Sequence, residues 1–120
     1  MGVLISLELE GLPPTVNHMY RTSGRYRYKT AETRIYQEYV SMKLREQWQN
    51  QTQYTQSVEL YVNFFTNNRI RWDIDNRVKA LQDCLSMAGV IKDDTQIDEL
   101  HVKRIYGTKV GTEIILKKCG

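Results

Sequence analysis

The chain has 120 residues, 41% hydrophobic and 26% charged, and this size and composition are typical of one folded globular domain. Its 17 Lys and Arg residues against 14 Asp and Glu give a net charge of only +3, too small to identify a partner. Two cysteines argue against a disulfide framework, and no apolar run reaches the roughly 18 residues of a membrane span. We therefore expect one domain over residues 1–120 that acts in a reducing cytoplasm and not in a membrane.

The first half of the chain predicts a strand, a long loop and a helix. Residues 3–10 alternate between apolar and polar side chains, which is the period of a half-buried strand. Residues 15–29 show no apolar periodicity and contain a Ser23-Gly24 turn, which predicts a long loop. Thr30 is a suitable N-cap for an amphipathic helix that ends near residue 49. The apolar side chains repeated along that helix are Tyr36, Val40, Leu44 and Trp48.

The second half predicts another strand and another helix. Apolar residues alternate from Val58 to Phe64, and we assign Phe65 to the core as well. The second helix begins near Asp75, and Gly89 is expected as its C-terminal cap.

The C-terminal residues predict two further strands. Residues 100–106 and 112–118 are separated by a short stretch from Gly107 to Gly111, which predicts an antiparallel hairpin. The whole pattern predicts an α+β fold. We expect a small mixed or antiparallel sheet of about four strands, with two helices packed on one of its faces.

Three aspartates form the most informative pattern in the sequence. Asp73 and Asp75 stand two residues apart where an extended segment leads into the second helix, so their side chains point the same way, and Asp94 follows in a later loop. Mg2+ prefers oxygen ligands and is typically held by one or two carboxylates plus a substrate phosphate, which these residues and a phosphodiester can supply. Each aspartate is alternatively explained as a helix N-cap or a turn residue.

Lys79 lies one helical turn after Asp75, on the same face of the predicted helix. If the carboxylates converge on a cation, the Lys79 ammonium stabilises the charge that develops at the scissile phosphate. If they do not, Lys79 forms only a weak surface ion pair. The ligand positions of a calcium loop are filled by other residues, and no Gly-x-x-x-x-Gly-Lys loop is present, so no nucleotide cofactor is expected.

Basic residues cluster in the predicted loop, where they alternate with tyrosines. This pattern is typical of a surface that clamps phosphates and stacks on unpaired bases. A solvated turn whose tyrosines pack inward explains the rings equally well. The candidate DNA-binding residues are Arg21, Arg25, Arg27 and Lys29 in this segment, with Arg69 and Arg71 near the aspartates.

The segment from Asp73 to Lys103 resembles the core of the RusA-like Holliday junction resolvases. The matching residues are Asp73, Asp75, Asn76, Lys79, Leu81, Asp83, Leu85, Gly89, Asp93, Asp94, Val102 and Lys103. The N-terminal Leu12-Pro13-Pro14 also resembles the family, so the likeness covers nearly the whole chain. One position differs, because the better-known member has Arg before the Asp-x-Asp where this chain has Trp72.

The resemblance implies a homodimer that binds four-way DNA junctions and, with Mg2+ or substituting Mn2+, makes paired phosphodiester cuts in recombination and repair. It assigns Asp73, Asp75 and Asp94 to metal binding and, together with Lys79, to catalysis. A bacterial host, with the gene carried by a phage or prophage, is expected by the same analogy. The residues alone leave two alternatives open: a non-catalytic branched-DNA-binding module, and a metal-dependent nuclease for another nucleic-acid structure.

Overall fold

The computed structural model describes residues 2–67 and 71–120, which form mixed α+β structure and confirm the predicted fold class. The elements are β1 (Val3–Glu10), α1 (Val16–Met19), β2 (Tyr20–Ser23), β3 (Tyr26–Lys29), α2 (Ala31–Trp48), β4 (Val58–Thr66), α3 (Val78–Met87), β5 (Ile97–Tyr106) and β6 (Gly111–Lys118), with 3-10 turns at Ile74–Arg77 and Asp94–Gln96. None of the helices within these ranges is long and apolar enough to cross a membrane.

Four strands form the main sheet, in the order β1-β6-β4-β5. β6 is antiparallel to both of its neighbours, whereas β4 and β5 run parallel. The predicted hairpin between the last two strands is therefore wrong, because β4 lies between them. Their connection crosses the end of β4, where the Gly107 amide donates a hydrogen bond to the Thr66 carbonyl at 3.0 Å. A parallel pair needs a long crossover, and α3 lies in the segment that joins β4 to β5.

The core lies between one face of this sheet and the helices α2 and α3. Along β4, the side chains from Val58 to Phe64 alternate between buried and half-buried positions, as predicted. Val40 and Leu44 of α2 and Leu81 of α3 are at most 1% exposed in the same core cluster. The prediction of two helices on one face is therefore confirmed.

Phe65 is an exception among the predicted core residues, because it faces away from the helices. It is half-buried on the opposite face of β4, where the Lys109 Nζ lies 4.3 Å from its ring centroid. The strand period of two explains this position, since neighbours of the buried Phe64 and Thr66 must point to the other face.

The N-cap predicted for α2 and the C-terminal cap predicted for α3 are both present. The Thr30 hydroxyl accepts a hydrogen bond from the Thr33 amide at 3.2 Å and so caps α2. Gly89 follows α3 with φ +78°, a left-handed conformation that glycine adopts without a Cβ penalty. α2 ends without a glycine, on a left-handed Gln49.

The predicted long loop is folded as a helical turn, α1, followed by a β-hairpin of β2 and β3. The turn predicted at Ser23-Gly24 is present, with Gly24 at φ +61°. The base of the hairpin is fixed because Met19 is fully buried and its carbonyl accepts a hydrogen bond from the Thr30 amide at 3.0 Å. The sequence shows no alternation here because nearly all of the hairpin side chains are exposed on both faces.

Candidate active site

The Asp-x-Asp segment leads into α3 through the 3-10 turn Ile74–Arg77. Asp73 occupies the N-cap position of that turn, and its backbone carbonyl accepts a hydrogen bond from the Asn76 amide at 3.1 Å. Its side chain makes no capping hydrogen bond. Asp75 is in the first turn, and both carboxylates are exposed and have no hydrogen-bond or ion-pair partner among residues 2–67 and 71–120. Capping alone therefore does not explain Asp73.

Trp72, at the position that departs from the resembled family, anchors this segment. Its ring packs edge-on against the buried Phe64, with 5.6 Å between ring centroids. The guanidinium carbons of Arg77 and Arg104 lie 4.7 Å and 5.2 Å from the Trp72 centroid. Arg104 also donates a hydrogen bond to the Trp72 carbonyl, and Arg77 donates one to the Pro13 carbonyl at 2.6 Å. The backbone just before Asp73 is thus held by the core and by two cations.

Lys79 bridges two aspartates on the surface of α3. Its Nζ lies 2.9 Å from an Asp83 oxygen and 3.1 Å from an Asp94 oxygen. The hydrogen bond with Asp83, followed by that with Asp94, raises the pKa of Lys79. The same contact with Lys79 lowers the pKa of the Asp94 carboxyl. Near neutral pH, this group therefore carries one positive and two negative charges.

Asp94 is positioned by a capped 3-10 turn. The Asp93 carboxylate accepts a hydrogen bond from the Thr95 amide at 3.4 Å, and the Gln96 side chain accepts one from the Asp93 amide at 3.0 Å. Gln96 also donates to the carbonyls of Tyr54 and Gln56, each at 2.9 Å. These bonds form a capping box tied to the chain before β4, so Asp93 has a structural role here.

The structure brings Asp94 into contact with α3 without placing all three predicted metal ligands in contact. Asp94 contacts Lys79, which follows Asp75 by four residues, but Asp75 lies in the 3-10 turn before α3 and not in the helix itself. The ligand atoms of Asp73, Asp75 and Asp94 do not all lie within 4.8 Å of one another. Carboxylates repel one another, so three of them need a shared cation to come into contact. The donors are all carboxylate oxygens, which suit Mg2+.

A different set of side chains lies close enough together to share one metal ion. Glu59, Glu99 and Cys119 are the group in the described chain whose ligand atoms lie within 4.8 Å of one another. They lie at the opposite end of β5 from Trp72, since Glu59 pairs with Glu99 near the start of that strand. A thiol beside two carboxylates is a mixed donor set, less suited to Mg2+ than three aspartates.

The predicted DNA-binding residues divide into exposed and tethered groups. Arg21, Arg25 and Arg27 are exposed on the hairpin, and the Arg27 guanidinium stacks over the Tyr20 ring at 4.0 Å. Lys29 is half-buried, and its Nζ donates a hydrogen bond to the Gln37 side chain at 2.6 Å. Lys29 therefore fastens the hairpin to α2 and is the least available of these cations.

The remaining predicted contacts lie beside the aspartates or on the hairpin. Arg71 is exposed next to Trp72, whereas Arg69 lies outside the described residues. Tyr26 and Tyr28 are 78% and 49% exposed, so their rings do not pack inward and are free to stack on a base. The helical turn α1, which precedes the hairpin, packs against both α3 and the turn that carries Asp75.

Three contributors were not assigned a site role from the sequence. Asp83 and Lys79 are separated by one helical turn, which is a signal for an ion pair that the sequence does contain. Gln96 and Arg104 act through partners distant along the chain, and no local pattern identifies such contacts.

Comparison with known proteins gives two matches. A family model described as endodeoxyribonuclease RusA matches residues 10–117. The chain is also 35% identical, over 116 residues, to a protein of Aquifex aeolicus (strain VF5) named crossover junction endodeoxyribonuclease RusA. That match covers 94% of this chain and 90% of the relative.

Proposed function

The chain belongs to the endodeoxyribonuclease RusA family, and from this membership we propose that it is a Mg2+-dependent enzyme that resolves Holliday junctions by paired phosphodiester cuts. The observation that carries the proposal is the contact of Lys79 with Asp94, which brings the turn before β5 to the first turn of α3, just after the Asp-x-Asp segment. The proposed unit is one endonuclease domain over residues 1–120.

In this proposal, Asp73, Asp75 and Asp94 hold the cation, and Mn2+ substitutes for Mg2+. When bound, the divalent ion activates the attacking water and neutralises charge on the phosphate. The carboxylates of Asp73 and Asp75 are exposed, and neither would give up a hydrogen bond to another described residue by binding the cation. Asp94 would hold the cation with the same carboxylate that contacts Lys79.

Lys79 has a separate task from the metal ligands. Its ammonium is held at the site by Asp83, which keeps it in place when Asp94 binds the cation. A lysine held in this way would stabilise the negative charge that develops on a phosphate bound beside it. Asp83 is a positioning residue for Lys79.

The DNA is held by the hairpin and by the residues beside the aspartates. Arg21, Arg25, Arg27 and Arg71 contact backbone phosphates, while Tyr26 and Tyr28 stack on bases unpaired at the crossover. Lys29 supports the hairpin from its base, and Arg69 stays a sequence prediction. A twofold homodimer presents two such sites to a junction of approximate twofold symmetry, which accounts for paired cuts.

A cleavage assay on a synthetic four-way junction tests the proposal. We expect wild-type protein to cut two opposed strands when Mg2+ is added, and Asp75→Asn to bind the junction without cutting it. Glu38→Gln, an exposed change on α2 away from the aspartates, is the matched control and should cut normally. Salt-sensitive junction binding without cutting under any divalent ion would favour a non-catalytic binding module. Preferential cutting of flap DNA or RNA offered in parallel would favour another substrate.

A further inference from the structure

β5 is an edge strand whose outer side is open. It pairs with β4 on one side only and ends the sheet order. Most of its residues are exposed, including three large apolar ones: Leu100 at 45%, Ile105 at 39% and Tyr106 at 47%. Within residues 2–67 and 71–120, no side chain forms a hydrogen bond to the β5 backbone. A long, exposed edge strand of this kind can pair with another strand.

The other edge of the same sheet is partly covered by α2. The Gln47 side-chain amide of α2 accepts a hydrogen bond from the Ser6 amide and donates one to the Ser6 carbonyl, both at 2.8 Å. Further along β1, the Glu10 amide donates to the Tyr39 hydroxyl at 2.9 Å. Side chains of α2 therefore bond to part of the β1 edge, whereas no described side chain bonds to the β5 backbone.

The charges of β5 are arranged for pairing with a second copy of itself. Asp98 and Glu99 lie in its first half, whereas Lys103 and Arg104 lie in its second half. Two antiparallel copies centred on His101 would place Asp98 opposite Arg104 and Glu99 opposite Lys103. Opposite charges directly across a sheet stabilise the pair, and like charges destabilise it.

Other pairing registers do not place each acidic residue of β5 opposite a basic one. A twofold axis perpendicular to the sheet keeps the helices of both copies on one face, so opposed residues must differ by an even number of positions. Centring the pair on Leu100 places Glu99 opposite His101, and centring it on Val102 places Glu99 opposite Ile105. Only the register centred on His101 joins each acidic residue to a basic one.

Glu99 and Lys103 have few charged partners among the described residues of their own chain. Lys103 has no carboxylate partner among residues 2–67 and 71–120. Glu99 is 54% exposed, lies close to Glu59 and Cys119, and has only His101, at 3.3 Å, as an ion-pair partner in that part of the chain. A lysine supplied from outside would balance the charge that gathers around Glu99.

We propose that a second copy of this chain pairs its β5 antiparallel to the first, with His101 on the twofold axis, to form a continuous eight-stranded sheet across the dimer. This inference rests on the dimer of the proposed function and identifies its interface. Because the axis is perpendicular to the sheet, both helical layers and both sets of aspartates lie on the same face of the dimer. One branched DNA molecule can then reach both sites.

Charge reversal tests the register, measured by sedimentation equilibrium of the full chain without DNA. Wild-type protein should be dimeric, and Glu99→Lys and Lys103→Glu should each weaken the dimer by about tenfold or more, since each change makes two repulsive pairs. An equimolar mixture of the two variants should recover the wild-type affinity as a heterodimer, because both pairs then join opposite charges. Unchanged dissociation constants in both variants, or a mixture no tighter than its components, would overturn the register.

Cross-linking tests the axis in a Cys119→Ser background, in which the remaining Cys84 is fully buried. Residues directly opposite in an antiparallel pair have Cα atoms about 4.5–5.5 Å apart, within the range of a disulfide. His101→Cys should therefore form a covalent dimer on oxidation with diamide, and Glu8→Cys, on the same sheet face of β1, should not. Equal or absent cross-linking would overturn this interface. If the protein is still a dimer that cuts junctions, the proposed function stands and only its interface is wrong.

Discussion

Lys79 is the residue through which the two acidic segments of the site are connected. It contacts Asp83 on its own helix and Asp94 on the turn before β5. We expect Lys79→Met to lower the single-turnover cutting rate by roughly 100-fold, because an uncharged side chain cannot stabilise the phosphate in the transition state. Junction affinity should change little, since we propose that the hairpin cations contact most of the phosphates.

The stability of Lys79→Met separates a role of Lys79 in catalysis from a role in stabilising the fold. The Lys79 side chain is 46% exposed, so removing its ion pairs should change the free energy of unfolding by no more than about 1 kcal/mol. Lys43→Met on α2 is a control of the same chemistry away from the aspartates. An unchanged cutting rate in Lys79→Met would show that Lys79 only forms surface ion pairs and has no catalytic role.

At the scale of elements, the sequence predicted the helices and strands whose apolar side chains recur at a regular spacing. β1, β4, α2 and α3 were predicted because each buries one face or stripe in the core. The order of strands was not predicted, because the pattern of β6 is the same whichever strands lie beside it. The hairpin of β2 and β3 was missed because a strand exposed on both faces has no apolar alternation to detect.

The candidate site was also predicted only in part. Asp94 and Lys79 were paired with the Asp-x-Asp through family resemblance, and their contact is present in the structure. The part played by Trp72 was not predicted, because its partners Arg77 and Arg104 come from different elements. Long-range stacking of this kind leaves no pattern in a single sequence.

Trp72 joins the Asp-x-Asp segment to the sheet, so replacing it tests how these two elements are held together. Trp72→Ala removes the ring that packs on Phe64 and between two guanidinium groups. We expect it to lower the free energy of unfolding by about 2–3 kcal/mol, because Trp72 is only half-buried and a fully buried Trp costs about 3–5. Cutting should fall further than this stability loss explains, since the backbone before Asp73 is released.

Urea denaturation at neutral pH measures the stability change. Trp72→Phe keeps an aromatic ring on Phe64 and should lose less than half as much as the alanine variant. If Trp72→Ala unfolds at the wild-type urea concentration and cuts at the wild-type rate, the ring does not anchor the segment.

On the scale of the whole molecule, the fold separates two surfaces that a junction nuclease needs. The exposed arginines are on the hairpin beside α1, and the aspartates are on the neighbouring surface of α3 and its preceding turn. A cationic surface next to an acidic one binds a polyanion while concentrating divalent ions. The modest net charge of +3 conceals this separation, because it averages over both surfaces.

The central claim is that Asp73, Asp75 and Asp94 share one divalent cation, and anomalous scattering from a crystal soaked in Mn2+ tests it most directly. We expect one strong anomalous peak within coordinating distance of all three carboxylates, with Lys79 still held by Asp83. The peak should be absent from Asp75→Asn crystals soaked in the same way. No peak at the three aspartates, or a peak only at Glu59, Glu99 and Cys119, would contradict the account.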